Sequence, residues 1–571
     1  MPVPAHGGIH RMTLSRLCCS LALMALLAAC SAPGALLQSD VNAGCASLAG
    51  RTIPASKISL PSGAARIDSA VLMAPSALAV AERDASPAAA ITPATPQYCK
   101  LLGHIAPLDP TAPNINFQMN LPTVWNGRAV QYGGGGFNGT LITGLGLLPA
   151  ARYEQPSPLA LGFVTYGTDS GHQNQAGQPP QAFALNSEAL VNFAHASYKK
   201  VRDLSLTVMR MAYAEGPTRI YFFGSSEGGR EGLTMAQRYP DAFNGIFSRV
   251  PVIHWTGLQH AGLRDGIATM GPAWLRPAQV KRVHDAVLAA CDNLDGLADG
   301  LVSDLVGCRK RFDVATLRCS GATADDTCLT PPQEAAVRTL QSPLRLGMEL
   351  ANGVREYPGR GPSGEATPAF ASTGGWNAWW LGGSAPSIPP QQGNGIAWFY
   401  GAGAIQYFYA RDPAVDLLSY KPDTYYDRVR EVSSLMDSTD PDLSTFQALG
   451  GKLLMLENMA DYAQSPYAGI AYFESVERRL GPGTVNTFFH LYTAPGVDHV
   501  GTGGPANVDM LQALVAWVER DEMPAALQVV EQNAKPPFAV TRARPLCRWP
   551  LVPRYRGGGD PASATSFECK P

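Results

Sequence analysis

Three short apolar runs in the first half of the chain have the length and make-up of buried strands: Arg128-Ala-Val-Gln-Tyr132, Gly162-Phe-Val-Thr-Tyr-Gly167 and Arg219-Ile-Tyr-Phe-Phe223. Helix-like stretches lie between them. Alternating strand and helix signals predict a parallel sheet with covering helices from about residue 45 to 252. Two more runs, Lys452-Leu-Leu-Met-Leu456 and Thr487-Phe-Phe-His-Leu-Tyr492, resume the pattern after residue 440, and a helix follows from about Val508 to Arg520. Between 253 and 440 the texture changes to Gly and Pro breaks, a Trp-rich stretch and four cysteines, with few clear strands. The simplest organisation is one α/β domain, formed by 45–252 and 441–571, interrupted by a large insertion at 253–440. No internal repeat is present.

One of these strands carries a distinctive ending. Arg219–Phe223 runs into Gly224-Ser225-Ser226-Glu227-Gly228 and then a helical stretch. This G-x-S-x-G pattern, in a strand, turn and helix context, is that of a nucleophile elbow and predicts an α/β-hydrolase fold with Ser226 as nucleophile. The backbone N–H of Glu227 then points at a developing oxyanion. A second donor is expected from an earlier strand-to-helix loop, and Gly133-Gly134-Gly135-Gly136 follows the strand at 128–132. Taken as composition alone, the same glycines would be a flexible loop.

In this fold the acid and the base follow the nucleophile in that order. Asp461 lies just beyond strand 452–456, and His499 lies in the loop after strand 487–492. His499 is the expected general base and Asp461 the group that orients it. Rival acids are Asp498, Glu457 and Asp442. Asp498 is next to His499 in sequence, and adjacent side chains rarely face each other. The rival base, His172, precedes the elbow, so a structural role is expected for it.

Charge and cysteines then narrow the setting. A formal net charge of -2 gives no sign of a nucleic-acid partner. Arg11 and Arg16 precede the apolar run Leu17–Ala29, which is too short to span a bilayer and has the form of an export signal. Its end, Leu27-Ala28-Ala29-Cys30-Ser31, resembles a bacterial lipoprotein cleavage box, predicting a signal at 1–30, lipid on Cys30 as the only membrane attachment, and a tether at 31–44. Ordinary cleavage and release into the periplasm or medium is the alternative. Of 11 cysteines, eight remain beyond Cys30. In an oxidising compartment they are expected to pair. Proximity in sequence favours Cys45 with Cys99, Cys291 with Cys308, Cys319 with Cys328 and Cys547 with Cys569. No CxxC pair exists, which disfavours zinc.

These residues resemble the tannase and feruloyl esterase family, whose branches include mono(hydroxyethyl) terephthalate hydrolase. The likeness runs from about Cys45 to Cys569. It rests on Gly224-Ser-Ser-Glu-Gly-Gly-Arg-Glu-Gly232, Cys291-Asp-Asn-Leu-Asp-Gly-Leu-Ala-Asp-Gly300 and Pro495-Gly-Val-Asp-His499, with Trp376-Asn-Ala-Trp-Trp-Leu-Gly382 and Leu514-Val-Ala-Trp-Val-Glu519 in support. The resemblance implies the triad Ser226, Asp461 and His499, oxyanion donors at Glu227 and Gly136, the four disulfides above, and a lid domain formed by the insertion. The family usually carries a cysteine before the nucleophile and another after the base, joined as a bridge. Here those positions are Ser225 and Val500, both changed together.

Asp292, Asp295 and Asp299, interleaved with Gly296 and Gly300, repel one another unless a cation is present, and such hard oxygens suit Ca²⁺. A solvated acidic loop is the plain alternative. The resemblance implies a structural Ca²⁺ held by these carboxylates and by the carbonyls of Leu297 and Leu301. The implied reaction is hydrolysis of a small aromatic acid ester, feruloyl, galloyl or a terephthalate half ester, through an acyl-enzyme. Trp376, Trp379 and Trp380 are candidates to stack on its ring, with at least one of them expected in the lid core. The competing reading is a non-catalytic surface lipoprotein using the fold as a binding module. Oligomeric state is left open.

Overall fold

Residues 37, 40–81, 91–321, 325–367, 374–391 and 393–571 are described by the structure, a computed structural model. The export signal and Cys30 lie outside the described residues. The chain is already helical at Val41–Ala46, inside the stretch expected to be a tether, and Cys45 of that helix is bonded to Cys99.

One sheet of 12 strands organises the molecule. In chain order they are β1 (Thr52–Ile53), β2 (Ala65–Met73), β3 (Tyr98–Ile105), β4 (Ile115–Pro122), β5 (Arg128–Tyr132), β6 (Val164–Thr168), β7 (Arg219–Ser225), β8 (Gly245–Arg249), β9 (Lys452–Asn458), β10 (Phe489–Ala494), β11 (Leu527–Gln532) and β12 (Val540–Arg548). Their spatial order is β1-β2-β3-β4-β6-β5-β7-β8-β9-β10-β12-β11. The six strands from β6 to β10 are mutually parallel. They read as continuous apolar runs because both faces are covered. In β7, Ile220 and Phe222 enter one core layer while Tyr221 and Phe223 enter the other.

The sheet is mixed rather than wholly parallel. β1 to β4 pair antiparallel and join β6 antiparallel, and β12 and β11 close the far edge as a hairpin. The reason is connection length: residues 106–114 between β3 and β4 are too few for a helical crossover. β2 also shows the alternating burial of a strand with one wet face.

Helices α1 (Ser197–Tyr213), α2 (Glu227–Arg238) and α7 (Met510–Arg520) cover the sheet. Between β8 and β9, neighbours in the sheet, runs the long insertion, with α3 (Trp255–Ala268), α4 (Pro277–Cys291), α5 (Trp376–Trp379) and α6 (Ile396–Ala404) among its helices. Helices α3 and α6 touch almost backbone to backbone. A Cβ on Gly262 would lie 2.6 Å from the Ala397 carbonyl oxygen, and one on Gly401 would lie 2.6 Å from the Leu263 nitrogen. All four expected disulfides are present, with Cα atoms 4.9–5.6 Å apart. Among the described residues no helix is long and apolar enough to cross a membrane.

Candidate active site

Strand β7 delivers Ser226 and helix α2 begins at the next residue. Ser226 has φ 60° and ψ -120°, a conformation L-residues avoid, of the kind that costs about 1–3 kcal/mol and persists only where surroundings enforce it. They do so here through close backbone approach. A Cβ on Gly224 would lie 2.0 Å from the Gly228 carbonyl oxygen, and one on Gly228 would lie 2.7 Å from that of Gly134. The two glycines let strand, helix and glycine loop meet, and the serine hydroxyl is lifted off the strand's end.

Two loops at the C-terminal ends of β9 and β10 bring their residues to that hydroxyl. His499 Nε2 lies 2.9 Å from Ser226 Oγ, and His499 Nδ1 lies 2.7 Å from Asp461 Oδ2. Asp461 is 3% exposed and His499 9%. A buried carboxylate can only accept, so Nδ1–H donates to Asp461 and Nε2 is left to accept from Ser226. Asp461 Oδ1 accepts from the Ala463 and Gln464 N–H groups at 2.7 and 3.0 Å, which fixes the carboxylate's orientation.

The rivals have other tasks. Asp498 bonds the Gly501 and Thr502 N–H groups and the Thr502 hydroxyl, folding the loop after itself. Asp442 pairs with Arg479 near the surface. Glu457 is fully buried, accepts from Gln464 Nε2, and is pushed well above the ordinary carboxyl range by burial and by the Asp461 charge. His172 stacks on Phe183 at 3.6 Å and lies 2.8 Å from the Phe137 carbonyl oxygen through Nε2; burial lowers it to about 4, so it stays neutral and donates.

Gly136, at φ 59°, and Glu227 line one cavity with Ser226 and His499. Neither backbone N–H donates to a protein acceptor among the described residues. The glycine loop is fastened by residues to which sequence reasoning gave no role. Buried Glu231 accepts from the Gly134 N–H at 3.0 Å and from Asn138 Nδ2 at 2.8 Å, and Asn138 Oδ1 accepts from the Gly135 N–H at 2.6 Å. Glu231 was visible within the elbow motif, five residues past the nucleophile; Asn138 had no motif to mark it. Arg230 of the same motif bonds Glu227, the Ala194 carbonyl and, across to the insertion, the Met436 carbonyl.

The cavity above the serine holds about 190 Å³. Of the three tryptophans expected there, only Trp379 lines it, with its ring 6.1 Å from that of His499. Trp376 is buried in the core at 1% exposure. Trp380 lies under the Arg360 guanidinium, 3.5 Å from its ring centre, and donates to the Tyr462 carbonyl. The other walls come from Phe137, Trp255, Leu258, Gln259 and Tyr400, which no local pattern announced. A roomier cleft of about 440 Å³ lies beside Leu148, Phe163 and Met510, without Ser226 or His499 in its walls.

The acidic loop follows α4. Asp292 accepts from the Asp299 and Gly300 N–H groups, Asp295 from that of Leu297, and Asp299 from that of Leu301. Asp299 also pairs with Arg544. Among the described residues no three acidic, His or Cys side chains form a ready metal cluster. The donors are nonetheless all hard oxygens in a loop clamped by Cys291–Cys308, with Asp295 buried among them, a set that fits a hard cation. The Leu301 side chain packs against Gly496 in the loop that carries His499.

Known proteins resemble this chain over most of its length. Residues 99–570 match the family model for tannase and feruloyl esterase. The chain is 36% identical over 541 residues to an uncharacterised esterase of Agrobacterium fabrum, covering 92% of each. It is 32% identical over 540 residues to the mono(2-hydroxyethyl) terephthalate hydrolase of Piscinibacter sakaiensis, covering 85% of this chain and 87% of that one. The fold is shared with feruloyl esterase B from Aspergillus oryzae, at TM-score 0.72 and 22% identity over 90% of this chain and 98% of that one. With a whole-length match of this kind, the chain belongs to the tannase and feruloyl esterase family and is a carboxylic ester hydrolase.

Proposed function

We propose that this hydrolase cleaves esters of uncharged aromatic acids through an acyl-enzyme on Ser226. The observation that carries the reading is the continuous relay from Ser226 Oγ through His499 to Asp461. His499 takes the serine proton as Oγ attacks the ester carbonyl, then returns it to the leaving alkoxide. The Glu227 and Gly136 N–H groups receive the carbonyl oxygen as it gains charge. Water repeats the sequence on the acyl-enzyme and releases the acid. Trp379 and Trp255 offer apolar faces to the aryl ring, and Gln259 and Tyr400 offer hydrogen bonds to ring hydroxyls. The paired base, the nucleophile and two free N–H donors argue against a binding module without catalysis.

Relatives are named as a probable feruloyl esterase and as a mono(2-hydroxyethyl) terephthalate hydrolase, and a terephthalate half ester carries a free carboxylate that a feruloyl ester lacks. Among the described cavity residues no Lys or Arg is present. A substrate carboxylate would lose its hydration there without gaining a cation, a cost of several kcal/mol. Methyl ferulate and methyl gallate are therefore expected to be hydrolysed with kcat/KM at least about tenfold above a terephthalate half ester, since 1.4 kcal/mol already gives that factor. Equal values for all three, measured with one preparation, would remove this preference. Loss of p-nitrophenyl ester hydrolysis in a folded Ser226→Ala variant tests the nucleophile.

Two further assignments belong to the same reading. A structural Ca²⁺ would be held by the carboxylates of Asp292, Asp295 and Asp299 with the carbonyls of Leu297 and Leu301, where it would neutralise clustered charge. The chain is exported, a setting supported by its four disulfides, and is anchored by lipid on Cys30, a reading that rests on the Leu27–Ser31 box alone. The mass of the mature N-terminal peptide tests the anchor.

A further inference from the structure

Arg249 ends β8 directly behind the nucleophile. Its Cα is the strand partner of Ser225 across β7. Its carbonyl accepts the Ser226 N–H at 3.0 Å, and three residues further on a clasp closes as the Val252 N–H donates to the Ser226 carbonyl at 3.3 Å. Between them Val250 adopts φ 39° while fully buried. For a β-branched residue that is a genuine outlier, and it marks a turn held in place by its surroundings.

The side chain of the same residue goes elsewhere. It is 7% exposed and its Nη2 donates to the His499 carbonyl oxygen at 3.4 Å. Room for it is made at Gly501, φ 97°, where a Cβ would lie 2.8 Å from Nη2. Burying a guanidinium costs several kcal/mol unless its charge is answered. Here burial outweighs the field of its neighbours and holds Arg249 below the ordinary guanidinium range, and Asp498, Asp461, Tyr153 and Tyr462 offset part of that cost. Arg249, Ser225 and Val500 line one space of about 390 Å³, separate from the cavity that holds Ser226 and His499 in its walls.

We infer that Arg249 is a positioning residue for ester hydrolysis: its main chain holds the nucleophile, its guanidinium holds the main chain of the base, and it thereby sets the Ser226–His499 distance. The inference rests on the triad reading, and Ser226→Ala tests that reading separately. A nucleophile and base on two different loops lose rate steeply with misplacement, about a hundredfold for 1 Å. Arg249 bridges those loops where Ser225, beside the nucleophile, and Val500, beside the base, line the same space.

The experiment compares Arg249→Met, Arg249→Lys and wild type on methyl ferulate and p-nitrophenyl acetate, with melting curves and the rate at which a sulfonyl fluoride inactivates Ser226. Arg249→Met is expected to lower kcat and the inactivation rate together by about ten- to a hundredfold, with KM within about twofold, because substrate contacts are untouched. Arg249→Lys, which still donates to a carbonyl, should recover part of the loss. Ser225→Cys with Val500→Cys, added to Arg249→Met and oxidised, should restore kcat, and reduction should remove the gain. An unchanged kcat in Arg249→Met overturns the proposal. So does an oxidised bridge that raises the melting temperature without restoring kcat, which would make Arg249 a fold element only. If Arg249→Met does not fold, Arg249→Lys decides: wild-type melting with wild-type kcat supports the inference only if Arg249→Gln loses kcat and inactivation rate at unchanged KM, and overturns it otherwise.

Discussion

Asp461 and Asp498 sit in neighbouring loops and are both buried, yet their hydrogen bonds divide the work between them. Asp461 points its Oδ2 at His499, while each oxygen of Asp498 is turned back on residues 501–502. Asp461→Asn puts an amide against Nδ1 and favours the wrong tautomer, so kcat is expected to fall by about a thousandfold or more. Asp498→Asn keeps an acceptor for the loop and should cost less than about tenfold, seen mainly as a lower melting temperature. Steady-state rates for the two variants settle the order. Glu457 offers a different test. Burial and the Asp461 charge hold its carboxyl well above the ordinary range in the fold, whereas in the unfolded chain it ionises near its ordinary 4.5. Below that value both states carry the proton and nothing is lost. As pH rises above it the unfolded state gives up its proton while the folded state retains it, so this group's contribution to stability declines. Glu457→Gln removes the slope. The melting temperature of the variant relative to wild type should therefore climb as pH rises above about 4.5, and a constant difference would show that Glu457 ionises freely in the fold.

At the scale of elements, the site is a junction of β7, α2 and the glycine loop after β5, and Glu231 is its rivet. Glu231→Ala frees the Gly134 N–H and removes one of the bonds that hold Asn138, so the loop that carries Gly136 is expected to loosen. Removal of one oxyanion donor costs about a hundredfold or more in kcat. Loosening one is expected to cost about tenfold or more, with Asn138→Ala following in the same direction and KM little changed. The elements that carry the triad were legible in the chain for a physical reason: strands covered on both faces are unbroken apolar runs, and β5, β7, β9 and β10 begin within two residues of where the pattern put them. Triad order and elbow context then named Ser226, Asp461 and His499. The outer strands were not legible, since β2 alternates buried and wet positions and β11 with β12 forms a hairpin flanked by Pro and charge. The walls of the substrate cavity were hidden for another reason. Phe137, the α3 pair Trp255 and Leu258, and Tyr400 come from three separate parts of the chain and meet only through tertiary packing, and the tryptophan cluster that did stand out is two parts core to one part site.

Across the whole molecule, the insertion and the sheet meet where the acidic loop touches the loop of the base. Leu301 packs on Gly496, three residues before His499. The base loop also has fastenings of its own. Asn458 Nδ2 donates to the Asp498 carbonyl at 2.6 Å, and the Ala460 N–H donates to the Val497 carbonyl at 2.9 Å. A cation bound only by the folded loop stabilises the fold by linkage, about 2.7 kcal/mol at a hundred times its Kd. Its removal should therefore lower the melting temperature by several degrees. Turnover at 25 °C should change by less than about twofold, because the bonds from Asn458 and Ala460 hold His499 whether or not the acidic loop is filled. The measurement is a melting curve and a steady-state rate on one sample before and after EDTA, with Ca²⁺ then restored and Asp295→Ala run alongside. Melting unchanged by EDTA and by Asp295→Ala would leave the loop to its own hydrogen bonds and to Arg544. A parallel collapse of rate and melting temperature would instead mean that Leu301, more than the loop's own bonds, sets the position of the base.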